Sequence, residues 1–295
     1  MLHPLDWSSY FDSKQSIEVG NTAFNVYSCK PTNTGPIFIL HHGAGHSGLT
    51  FGLLAKHLSA NLSACSIVAM DCRGHGDTTG PYDDLSLVQL VNDQVAVFEK
   101  MFPGNARDVV LVGHSMGGAV AAHSAKRLQH VLGVALVDIV EGSAMDSLHA
   151  IPMFISMRPQ SFVSVEQAIA WHIDSGAIHS VESARLSVPS LVREIEPKKY
   201  VWRTDLLPTE PFWRGWYQGL SKAFVTAPAA RLLVLAGTDR LDKELLIAQM
   251  QGKFQLEVLP SAGHTIQEDL PQQLAEILMA FWQRNQRLNI PVRRL

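Results

Sequence analysis

The pentapeptide Gly113-His114-Ser115-Met116-Gly117 has the residue types and spacing of a nucleophile elbow, the Gly-x-Ser-x-Gly turn in which a strand passes sharply into a helix. Such a turn lifts the serine Oγ clear of the sheet edge, and the helix that follows aims its positive end at charge developing on a substrate carbonyl. The implied chemistry is acyl transfer. The flanks agree with that reading: the apolar run 109–112 precedes the turn, and the small residues Ala119, Ala121, Ala122 and Ala125 follow it.

A serine hydroxyl is a weak nucleophile on its own and needs a base, usually a histidine held by a carboxylate. Among thirteen histidines, His264 is the candidate base, because it follows the last predicted strand and completes the chain order serine, acid, histidine. Two aspartates end predicted strands between Ser115 and His264: Asp138 and Asp239. Position alone favours Asp239. Asp71 also ends a predicted strand, but it precedes the serine, so its expected task is to fix the loop Arg73-Gly74-His75-Gly76. An oxyanion hole needs two backbone N–H groups, each worth about 3 kcal/mol. Met116, next after the serine, supplies one by the logic of the motif. The other is expected from His41-His42-Gly43-Ala44-Gly45-His46, where Ala44 is the first candidate and Gly45 the reserve. His41, His42 and His46 lack the accompanying carboxylate or cysteine spacing of a metal site, so neither metal nor other cofactor is expected.

Positioning these groups requires strands that end where they stand. Residues 37–40, 67–70, 109–112, 134–137, 232–236 and 254–259 are apolar runs of the kind found in buried parallel strands. Helical patterns fall between them at 51–62, 86–101, 243–250 and 271–284, with Ser86 as an N-cap. A hairpin is expected around Gly20-Asn21, and residues 1–16 read as an arm on the surface. Strands alternating with helices predict a mostly parallel, doubly wound α/β sheet with its active residues at the strands' carboxyl ends. The pattern breaks at about 143–227, a stretch with Trp171, Trp202, Trp213 and Trp216, short helical periods and several prolines. It reads as a helical cap inserted into a single domain spanning 1–295.

Composition excludes several other classes. With 295 residues and 46% hydrophobic content the chain can bury a large core, and a net charge of −3 with 17% charged residues offers no footprint for nucleic acid or an anionic membrane. Cys29, Cys65 and Cys72 are widely spaced and odd in number, so no disulfide framework is expected. Neither a signal peptide nor a membrane span is apparent, and a cytoplasmic or nuclear location is expected.

The elbow Gly-His-Ser-Met-Gly-Gly-Ala, the segment 137–146 (VDIVEGSAMD) and the segment 235–243 (LAGTDRLDK) together resemble protein phosphatase methylesterase. Further matches are Ala184-Arg185-Leu186-Ser187, Trp213-Arg214-Gly215-Trp216 and the segment 249–255 (QMQGKFQ), so the resemblance runs through the cap and covers nearly the whole chain. It implies an α/β-hydrolase fold and an esterase that removes the methyl ester from the C-terminal leucine of the protein phosphatase 2A catalytic subunit. It also implies a triad on Ser115, Asp138 and His264, in place of Asp239. Two features depart from the family. Animal members carry a long acidic insertion in the cap where residues 193–199 are short here, and the oxyanion loop reads His-His-Gly-Ala-Gly-His instead of a run of three glycines. A methyl leaving group is small, so specificity must come from the acyl side, with Trp202, Phe212, Trp213 and Trp216 as candidates to line a groove. Two other readings compete: a broad-specificity esterase for small molecules, and a phosphatase-binding regulator whose hydrolase site is secondary.

Overall fold

The computed structural model describes residues 2–29, 32–237 and 241–286. Its central sheet has eight strands: β1 (Ser13–Val19), β2 (Thr22–Cys29), β3 (Ile37–His41), β4 (Ser66–Met70), β5 (Val109–His114), β6 (Val131–Val137), β9 (Ala230–Leu235) and β10 (Gln255–Val258). The smaller strands β7 (Val192–Glu196) and β8 (Lys199–Trp202) lie outside it. Across the sheet the order is β1-β2-β4-β3-β5-β6-β9-β10. From β4 to β10 neighbours run parallel, and the antiparallel β1–β2 hairpin closes one edge. The direction of winding reverses between β3 and β5, so the loops after these two strands open a crevice at the switch point, where open α/β sheets bind ligands.

Parallel strands covered on both faces need apolar side chains on both, and alternation along β5 shows the division. Val109 and Leu111 face one core with the helices Leu87–Met101 and Met116–Ser124; Val110 and Val112 face the other with Gly52–Asn61 and Pro271–Asn285. The Ser86 side chain caps the helix Leu87–Met101 by accepting from the Gln89 N–H. The expected surface arm is partly wrong. Tyr10 and Phe11 are buried in the second core, Phe11 against Tyr27, and β1 already begins at Ser13, because two adjacent aromatic rings gain more by burial than by lying in water.

Between β6 and β9 the chain forms the helices Glu141–Ser147, Ile151–Ser156, Val165–Asp174, Val181–Ser187, Glu210–Tyr217 and Leu220–Val225. The sequence pattern did not foresee the β7–β8 hairpin in this segment. Most of β7 is exposed and polar, so it carries no buried run, and the hairpin turns through Lys198 at φ 61°. The segment also divides by packing. Phe162, Ile169, Ala184 and Val192 make a satellite core of their own, whereas Trp213, Trp216 and Tyr217 join the main core. Among the described residues no helix is long and apolar enough to cross a membrane.

Candidate active site

Ser115 stands at the carboxyl end of β5 with φ 51° and ψ −121°, a backbone conformation that non-glycine residues rarely hold. Its N–H donates to the Val137 carbonyl at 3.1 Å, and its own carbonyl accepts from Gly118 at 2.8 Å, which locks the turn into the helix Met116–Ser124. Close approach explains the elbow's second glycine: a Cβ on Gly117 would stand 2.1 Å from the His41 carbonyl oxygen.

His41 pairs with Gly113 across β3 and β5, so the loop after β3 lies beside the elbow. Gly43 is so near that a Cβ there would be 3.0 Å from the Ser115 Cβ. Residues 43–46 form a tight turn, with the His46 N–H donating to the Gly43 carbonyl at 3.2 Å and Gly45 at φ 79°. Gly45, the reserve oxyanion donor, has its N–H committed to His75 Nε2 at 2.9 Å. Ala44 lines the cavity over Ser115, which leaves its N–H as the loop's candidate beside that of Met116. As the first residue of its helix, Met116 has no carbonyl one turn earlier within the helix to accept its N–H.

Asp138, at the carboxyl end of β6, also holds a positive φ of 48°. Its side chain is fully buried, and Oδ2 accepts from His264 Nδ1 at 2.7 Å while Oδ1 accepts from the Ala236 N–H at 2.9 Å. His264 follows β10 and is 51% exposed, buried on the side of its acid and open on the other. His114 holds the carbonyl of the same residue, donating from Nε2 at 2.9 Å, with the two rings 4.7 Å apart. The loop after β10 thus brings His264 to Asp138 at the end of β6, and His114 holds that loop beside the elbow that carries Ser115. Asp239, the alternative acid, lies outside the described residues.

The buried histidines around the elbow are scaffold. His42 donates from Nδ1 to the Gly43 carbonyl at 2.8 Å and accepts the Cys72 N–H on Nε2 at 3.0 Å; His75 donates from Nδ1 to the Arg73 carbonyl at 2.9 Å. Burial pulls His41 and His75 down to about 4 and His42, His46 and His114 well below their ordinary value, so these rings are neutral. No group of three or more His, Cys, Asp or Glu among the described residues is placed to hold a metal ion. Asp71 performs the task expected of it. Its carboxylate accepts from the N–H groups of Gly48 and Asp77 and from the Asn25 amide, tying the loop after β4 to the loop after β3.

A cavity of about 190 Å³ opens at Ser115, lined by Ala44, Ile151, Phe154, Ile155, Arg158, Leu206, Trp213, Trp216 and Tyr217. Trp213 and Trp216 line it as expected. Their indole N–H groups are held by Thr209 Oγ1 and the Leu85 carbonyl, so each serves the core and the wall together. Trp202 and Phe212 do not line it: Trp202 packs against Phe162, Trp171 and His172, and Phe212 packs onto the main core. Tyr217 and Arg158 escaped the sequence reading. The Tyr217 phenol is pushed up by burial and drawn back by the neighbouring Ser115 hydroxyl. No spacing rule marks either residue, because both reach the site only through folding of the cap. At the cavity mouth Phe154 is 59% exposed, flanked by exposed Met153 and Met157.

A sequence model of the alpha/beta hydrolase family matches residues 38–277. The chain is 47% identical to a probable protein phosphatase methylesterase 1 of Caenorhabditis elegans, over 93% of this chain and 76% of that protein. It is 43% identical to protein phosphatase methylesterase 1 of Schizosaccharomyces pombe, over 97% of this chain and 87% of the relative, and 38% identical to that of Bos taurus, over 94% and 85%. Among solved structures, E-2-(acetamidomethylene)succinate hydrolase superposes with a TM-score of 0.76 at 20% identity, covering 92% of this chain and 99% of that one. An esterase of Mycobacterium tuberculosis superposes at 0.69 with 21% identity, covering 92% of each. These two likenesses speak for the fold.

Proposed function

The chain belongs to the protein phosphatase methylesterase family of alpha/beta hydrolases and is a carboxylic-ester hydrolase; from that premise we propose that its substrate is the methyl-esterified C-terminal leucine of the protein phosphatase 2A catalytic subunit. In this reading Ser115 Oγ attacks the ester carbonyl as His264 takes its proton. Asp138 fixes the imidazole's orientation and stabilises its charged form. The N–H groups of Met116 and Ala44 face the oxygen as it becomes negative. The proton passes from His264 to the departing methoxide, methanol leaves, and water cleaves the acyl-enzyme to a free carboxylate.

The observation that carries this reading is the size of the cavity at Ser115. At about 190 Å³ it falls below the roughly 300–1,000 Å³ of ordinary small-molecule sites. It suits one apolar side chain and a methyl ester, while the rest of the substrate must lie outside, past the exposed Phe154. That is the shape demanded by the end of a protein chain. The test compares release of methanol from the methylated phosphatase with hydrolysis of a short aryl ester. Preference for the phosphatase by several orders of magnitude in kcat/KM is expected; equal turnover would return the broad-specificity reading. Phosphatase inhibition that survives Ser115→Ala would show that binding regulates separately from hydrolysis.

A further inference from the structure

Arg158 is the one charged side chain among the residues lining the Ser115 cavity. Its guanidinium lies 4.7 Å from the centre of the Trp202 ring, and among the described residues no carboxylate pairs with it. Stacking on an indole uses the face of the guanidinium and leaves its in-plane N–H groups for another partner. The buried histidine rings around it bring no negative charge either. The charge of Arg158 reaches His46 and His172, and His46 in turn feels His264. His46 Nδ1 is buried without a hydrogen-bond partner, and the carboxylate of Asp138 is engaged by His264 and Ala236. Burial drags the Arg158 pKa down, which marks a cation held partly out of water without compensation. Proteins seldom leave such a cation unpaired, since desolvating it costs several kcal/mol unless an anion arrives.

We propose that Arg158 is a carboxylate-binding subsite of the Ser115 cavity, taking a carboxylate carried by the acyl fragment of the substrate. The planar fork of arginine matches a carboxylate through two parallel N–H···O bonds. On the acyl side two groups have this chemistry: an acidic side chain just upstream of the esterified leucine, and the leucine carboxylate once the ester is cleaved. The first would make Arg158 a specificity residue, the second a product-holding one. The proposal rests on the peptide-ester reading above.

Short peptides ending in leucine methyl ester, with Asp or Asn at one upstream position, test it in the full-length protein. The matching free-acid peptides are assayed as inhibitors of p-nitrophenyl acetate hydrolysis. An acidic side chain in the subsite gives an Asp-over-Asn preference in kcat/KM of about 10- to 100-fold, carried mainly by KM, that falls close to one in Arg158→Gln. A product carboxylate there gives no such preference, but a free-acid inhibition constant that weakens about 10- to 100-fold in the same variant. Arg158→Lys, which keeps the charge and loses the fork, should retain part of either effect. If Arg158→Gln leaves both the preference and the inhibition at their wild-type values, the subsite is overturned. Should the wild type cleave p-nitrophenyl acetate but no peptide methyl ester, the substrate reading fails by itself, and the inhibition arm still decides the subsite.

Discussion

His114, the residue immediately before the candidate nucleophile, donates its Nε2 proton to the main-chain carbonyl of His264 at 2.9 Å. One side chain therefore ties the end of β5 to the loop that carries the candidate base, across 150 residues of sequence. Replacing it with phenylalanine keeps a ring of similar size but strands that carbonyl, a loss of about 1–3 kcal/mol. His114→Phe should melt at a lower temperature and lose about tenfold in kcat, with KM for an aryl ester little changed. Unaltered kcat in a protein of reduced stability would show the bond to be purely structural.

Asp138 supplies the second expectation. Its carboxylate bridges His264 Nδ1 and the Ala236 N–H, so an amide in its place can donate where it must accept. Asp138→Asn should lower kcat by about 10⁴-fold, the loss seen when a triad histidine is forced into the wrong tautomer. Asp239→Asn should cost less than about tenfold. Steady-state kinetics on the two variants rank the candidate acids, and the reverse order would transfer the role to Asp239.

The strained elbow has a thermodynamic signature. At φ 51° and ψ −121° Ser115 occupies backbone space that glycine enters freely, and holding a side chain there costs about 1–3 kcal/mol. Ser115→Gly and Ser115→Ala should both be inactive. Ser115→Gly should nevertheless be the more stable of the pair by about 1 kcal/mol in urea denaturation, since alanine keeps the strain.

Glu268 gives a pH prediction. It is buried under the cap, and burial raises its carboxyl to about 8, with the Ser187 and Thr50 hydroxyls opposing the rise. The unfolded chain ionises near its ordinary ~4.3, so between these values the folded state holds the extra proton, and stability falls as pH rises, by about 1.4 kcal/mol per pH unit. The loss is complete above the folded pKa. Glu268→Gln should flatten this slope between pH 5 and 8, as read from urea midpoints across that range.

The sequence reading reached furthest where a feature is local and least far where folding had to bring distant segments together. Ser115 announced itself because strand, turn and helix are contiguous. Position alone favoured Asp239 over Asp138, although both end strands after the serine; what places Asp138 beside His264 is the neighbouring of β6, β9 and β10. Arg158 and Tyr217 carried no signal, since a residue in an inserted segment acquires its neighbours only when that segment folds back over the sheet. The β7–β8 hairpin was invisible for a different reason. It is mostly exposed and polar, and nothing in its sequence alternates with a core.

The oxyanion loop offers the sharpest single substitution. Ala44 is the second residue of the turn 43–46, and Gly45, at φ 79°, is its third. This is the pattern of a type II turn, whose second position accepts the fixed φ of proline. Ala44→Pro therefore deletes one N–H while leaving the path of the backbone nearly unchanged. With the Gly45 N–H already given to His75, no neighbouring donor in the loop can take its place. If Ala44 completes the oxyanion hole, kcat should fall by about 10²- to 10³-fold while the melting temperature stays near that of the wild type. A variant that melts normally and keeps its kcat would move the second donor elsewhere in the site.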